Sequence, residues 1–139
     1  MSRLASILIT LWAGSLWTIC GLVAPTLFAV LEDRHVAGQL AATFFFAVTL
    51  IGVVVGSVLL ALSFVGKPGS VRLPGRVLVL LTAGFPLASH LVLGPLMDQA
   101  RAAGNMARFG MLHAVAGACF LIACAGALVM VWRFNRPAE

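Results

Sequence analysis

The chain has 139 residues, of which 62% are hydrophobic and only 9% charged, with a net charge of +5. Soluble domains carry about 25% charged residues, and a chain this short could not hide so much apolar surface in a core, so a water-soluble globular domain is excluded. The basic balance does not point to nucleic acid either, because the charges sit at the ends of apolar runs, where membrane topology accounts for them.

Four runs contain no Asp, Glu, Lys or Arg: Leu4–Leu31, Val36–Gly66, Val77–Met97 and Phe109–Trp132. A helix rises about 1.5 Å per residue and the hydrocarbon layer is about 30 Å thick, so about 20 residues suffice to cross it. The bilayer gives the backbone no hydrogen-bond partners, so runs of this length must be helical. The expected fold is all-α: an integral membrane four-helix bundle in one domain, with the lipid bilayer as its first partner. Arg3 followed by an apolar run has the look of a signal peptide, but this run is too long for an h-region and is read as a retained span.

The first span carries Trp12 and Trp17, five positions apart and so on different faces. It also carries Pro25, four residues after Gly21. Proline removes a backbone donor and pushes on the preceding turn, so a kink is expected there. The second span holds Gly52-Val53-Val54-Val55-Gly56, with Ser57 and Ala61 continuing the small-residue spacing. Lipid tails are as apolar as leucine, so membrane helices meet where small residues let backbones approach. Gly52 and Gly56 are therefore expected in internal packing, with a homo-oligomer contact as the alternative. The connection Lys67–Arg76 contains two Pro-Gly pairs, which are expected to break the helices on either side.

The third span holds Pro86 at its middle and Gly94-Pro95 near its end, and the fourth is rich in Ala and Gly. Cys20, Cys119 and Cys124 all lie within spans. Cys119 and Cys124 are five apart, about 140° around one helix, so they cannot chelate together, and all three are read as small packing residues.

With four spans, both termini and the middle connection share one face. That face holds Arg3, Lys67, Arg72, Arg76, Arg133 and Arg136; the other holds Arg34, Arg101 and Arg108 with Glu32, Asp33 and Asp98. The positive-inside rule places both termini in the cytoplasm, with a bacterial inner membrane as the expected location.

Two histidines lie at membrane depth, His90 about 10 Å and His113 about 6 Å from the outer end of their spans. Ionisable groups there are expensive and usually face a partner, a cavity or a ligand. Glu32, Asp33, His35, Gln39, Asp98 and Met97 surround the same end. Three readings follow. A soft or borderline metal suits imidazole and thioether, with His113, His90 and Met97 as ligands and the carboxylates at the rim. A b-type haem suits two histidines on different helices. A hydrogen-bonded polar network needs no ligand; in that case His113→Leu should cost about 1–3 kcal/mol. No catalytic set is present, and no enzymatic activity is expected.

The residues Leu11-Trp12-Ala13-Gly14, Val23-Ala24-Pro25-Thr26-Leu27-Phe28-Ala29-Val30-Leu31, Pro95 and Phe109-Gly110-Met111-Leu112-His113 resemble the transmembrane-protein-205-like group, also known as domain of unknown function 4149. The resemblance spans most of the chain. It implies four membrane helices, no established enzymatic activity and, through the animal member's association with tolerance of platinum drugs, the handling of soft metals. It points to Pro25, Phe28, Pro95, Phe109 and His113; His90 lies outside the pattern, and Ala114 stands where the family commonly has glycine. The layout is also similar to the copper-resistance D family and to four-helix haem proteins of the protoporphyrinogen-oxidase type. The expected function is therefore the binding or movement of a soft metal or small cation at an outward-facing His/carboxylate site. A haem-carrying redox protein and a subunit of a larger membrane complex are the alternatives.

Overall fold

The computed structural model describes residues 3–65 and 73–134. Among the described residues, four helices are long and apolar enough to cross a membrane: Arg3–Val30, Arg34–Phe64, Gly75–Ala102 and Met106–Arg133. The first span is built from α1 (Arg3–Thr18), a π-turn (Ile19–Val23) and α2 (Ala24–Val30). The second is the uninterrupted α3 (Arg34–Val65). The third repeats the first pattern: α4 (Leu73–Ala88), a π-turn (Ser89–Leu93) and α5 (Gly94–Ala102). The fourth is the uninterrupted α6 (Met106–Phe134).

Local chemistry sets these boundaries. Asp33 caps α3, its Oδ1 accepting from the amides of His35 at 2.7 Å and Val36 at 3.3 Å. Asn105 caps α6 in the same way, its Oδ1 accepting from the amide of Arg108 at 3.0 Å. Gly104, at φ 68°, supplies the left-handed residue that ends α5. The amide of Gly104 then reaches the carbonyl of Arg101, and that of Asn105 reaches Ala100. This is a Schellman ending, which satisfies carbonyls that a helix end otherwise leaves bare. The third helix runs beyond Met97 because charge ends an apolar run but not a helix. Asp98-Gln99-Ala100-Arg101 continues the winding until Gly104 stops it.

The Pro-Gly pairs divide between two settings. Pro68-Gly69 lies outside the described residues. Pro74-Gly75 does not break a helix: it stands in the first turn of α4, where the missing amide would have had no partner anyway.

α1 packs against α3 and α6, and α4 packs against the same two helices. The spans thus form a ring in chain order, with the first and third on opposite sides. The second and fourth meet across the centre through Phe45 and Phe120, whose ring centroids are 4.6 Å apart. The buried core joins Ile9, Trp12 and Leu16 of α1 to Val48, Val55 and Leu59 of α3, Val79 of α4, and Cys124, Ala127 and Met130 of α6. Gly52 lies beneath Trp12, where an added Cβ would be 2.8 Å from the indole Nε1; Gly56 lies against Ala83 and Val79.

The two halves repeat each other. Pro25 and Pro95 each follow a π-turn with one small residue between. Shifting by the spacing of these prolines superposes Leu11-Trp12-Ala13-Gly14 on Leu81-Thr82-Ala83-Gly84. It also carries buried Ala5, Ile9, Trp12 and Leu16 onto buried Gly75, Val79, Thr82 and Pro86. In the straight helices, buried Val48, Thr49, Gly52 and Val55 correspond to buried Ala123, Cys124, Ala127 and Met130, with Phe45 matching Phe120. The pattern of burial and of helix breaks in the first hairpin thus recurs in the second.

Candidate functional site

The polar residues singled out from sequence are spread along one end of the bundle, where α2 meets α3 and α5 meets α6. His90 lies in the second π-turn, exposed on the bundle surface, its ring stacked on Phe46 of α3 at 4.6 Å. His113 is exposed on α6 and stacks on Phe109, one turn earlier, at 5.9 Å. The guanidinium of Arg101 covers the Phe109 ring at 4.5 Å, so cation, phenyl and imidazole gather at the join of α5 and α6. Asp33 spends its carboxylate on the α3 cap. Glu32 and Asp98 are exposed, and Met97 is half-buried. His35 and Gln39 pair through their side-chain nitrogens at 3.1 Å. Among the described residues, no three His, Cys, Asp or Glu side chains converge on a point that could hold a metal ion.

Deeper in the bundle the structure joins two groups that sequence spacing could not. Cys20, in the first π-turn, meets Cys124 of α6 with the sulfurs 3.5 Å apart. Cys124 is buried and Cys20 half-buried. The same two helices are tied a turn away, where the Trp17 indole donates to the Cys124 carbonyl at 3.3 Å. Cys20 stands ten residues from the end of its span at Val30, ~15 Å along the axis and so near the middle of a bilayer.

The π-turn follows from Pro25. Its bonds run from each amide to the fifth residue back, as from Ala24 to Ile19. In that register the carbonyl of Cys20 would pair with residue 25, which is proline and has no amide hydrogen. The wider turn absorbs the fault within one loop of helix. In the third span Gly94 bonds to Ser89, and the residue facing Pro95 is His90. Cys20 and His90 are thus equivalent: each occupies the π-turn position that its proline leaves short of a main-chain donor. Pro86, by contrast, is buried inside α4 without interrupting it.

The Cys20–Cys124 pair was missed in sequence because its members are 104 positions apart on different helices. The available signal was the Cys20…Pro25 spacing and its echo in His90…Pro95. Thiols bind thiophilic cations as soft thiolate ligands, each releasing its proton as the metal–sulfur bond forms.

The family model described as Domain of unknown function (DUF4149) matches residues 7–106. The match takes in both π-turns, both prolines and the α3 cap, and stops as α6 begins. No curated protein and no solved structure matches the chain.

Proposed function

This chain belongs to the DUF4149 family, and from that premise we propose that it is a non-enzymatic membrane protein that binds a soft metal ion, or a complex of one, between its first and fourth spans. The observation that carries the reading is the pair of sulfurs, 3.5 Å apart at mid-membrane depth. Metal–sulfur bonds of about 2.3 Å would subtend roughly 100° at that separation, close to a tetrahedral angle. Two positions of such a metal come from the protein, and the others are left to the cargo's own ligands. A divalent ion that replaces the two thiol protons forms a neutral centre, so no net charge is stranded in hydrocarbon. His113 and His90, with Glu32, Asp33, Asp98 and Met97 about the same end, serve as the outward mouth. The stacked rings of the two histidines leave their nitrogens available to a passing cation. Within the family we place the chain with the transmembrane-protein-205-like group, in a bacterial inner membrane with both termini cytoplasmic.

Loading the purified protein with Cd²⁺ and measuring bound metal, with the ultraviolet thiolate charge-transfer band as a second readout, tests this. One equivalent and a band are expected for the wild type. Cys20→Ser and Cys124→Ser should each abolish the band, while His113→Ala should retain it and load more slowly from outside in vesicles. Equal metal content in wild type and both serine variants would remove the reading.

A further inference from the structure

At the opposite end of the bundle, Arg76 in the first turns of α4 reaches across to α3. Its Nη2 donates to the carbonyl of Ser63, in the last turn of α3, at 2.6 Å. Its guanidinium lies over the Phe64 ring at 4.4 Å. These contacts hold the cation at a fixed place. They do not neutralise it: among the described residues the carboxylates are Glu32, Asp33 and Asp98, all at the other end of the bundle. The Nε of Arg76 is buried and has no partner among the described residues. A half-buried guanidinium with a bare, buried N–H calls for an anion.

One turn deeper from Arg76, on the same two helices, an apolar groove runs between α3 and α4. Leu60 and Val79 begin it, and it passes Gly56, Ser57, Ala83 and Gly84. Its volume is about 160 Å³. Small residues cut this groove: an added Cβ on Gly84 would meet no heavy atom within 4 Å. A fixed cation at the membrane surface, directly above an apolar slot that runs into the hydrocarbon, has the two-part chemistry of a lipid.

We propose that Arg76 and the α3–α4 groove form a binding site for one anionic phospholipid, the phosphate on the guanidinium and one acyl chain along the groove. Charge selects this occupant: the described residues at this end add Arg3 and Arg133 to Arg76 with no carboxylate, and the sequence that follows these helices carries Lys67, Arg72 and Arg136 against Glu139 alone. Guanidinium matches phosphate oxygens with paired donors. The groove is independent of the thiol pair, which lies between the first and fourth spans.

Native mass spectrometry of the full chain, delipidated in detergent and titrated with phosphatidylglycerol or phosphatidylethanolamine, tests the proposal. The wild type should hold one phosphatidylglycerol at concentrations where phosphatidylethanolamine dissociates. Arg76→Gln should weaken that adduct about tenfold. Gly84→Leu, which fills the groove and leaves Arg76 in place, should weaken it to a similar extent, and Arg133→Gln should leave it unchanged. Millimolar inorganic phosphate should not displace the lipid, because it lacks the chain. Equal retention of the two lipids, an adduct that survives both Arg76→Gln and Gly84→Leu, or displacement by phosphate would each overturn the site. Should Arg76→Gln fail to fold, Gly84→Leu and the comparison of headgroups decide alone.

Discussion

Three glycines of similar setting in sequence do different things, and only their neighbours tell them apart. Gly52 holds no special backbone angle; it is glycine because Trp12, 1% exposed, occupies the place of its side chain. Gly52→Ala should therefore destabilise the bundle by about 1–3 kcal/mol, since the indole is locked in the core. Gly126 is bound in the same way by Thr82, the counterpart of Trp12. At Gly84 nothing stands within 4 Å of an added Cβ. Gly84→Ala should stabilise, by about 0.5–1 kcal/mol, because alanine favours the helix. Thermal unfolding in detergent should show the two shifts with opposite sign. His113 belongs to a different class. It is exposed, and its ring touches a phenyl of its own helix. His113→Leu should accordingly change stability by no more than about 0.5 kcal/mol. That is less than the sequence suggested for a histidine buried in a polar network, and a loss of several degrees in Tm would overturn the exposed placement of the ring.

At the scale of the element, each π-turn is a helix turn with one residue too many. Leu22 lies in the first of them, 63% exposed. Deleting Leu22 should let that turn close as ordinary α-helix and leave the packing on both sides in register. Deleting Leu11, also 63% exposed but within α1, should rotate every residue on one side of it by about 100° and destroy the core face. Expression and monodispersity of the two deletion proteins would tell: equal damage would mean that the π-turn is not a local insertion. The sequence foretold four spanning helices, because a run without charge can be read directly against the thickness of a bilayer. It foretold a fault near Pro25 as well. It did not reveal which proline distorts its helix and which is absorbed, since Pro86 and Pro95 differ in what packs around them rather than in their own chemistry. The helix ends were blurred for a related reason: Asp98 and Arg101 end the apolar run while the winding continues to Gly104. At the candidate site, single residues were legible and pairings were not. Spacing along one helix sets Cys124 only against Cys119, whereas the thiol it meets, that of Cys20, is fixed by how the first and fourth spans lie together.

For the whole molecule, the charge asymmetry predicts that reporters fused at Glu139 and within the Lys67–Arg76 connection both report from the cytoplasm. A signal from the far side at either place would reverse the orientation proposed above. The recurrence of one hairpin pattern has a consequence of its own. Two like hairpins, entering and leaving at the same face, close into a ring in which no span is first by virtue of its contacts: the first touches the fourth as well as the second. The order of synthesis is then separable from the order of packing. A permuted gene that begins at Leu73, runs to Glu139, and continues through a flexible linker into Met1–Gly66 should assemble the same bundle in the same orientation, with the Cys20 and Cys124 sulfurs still in contact and open to joining by an oxidant.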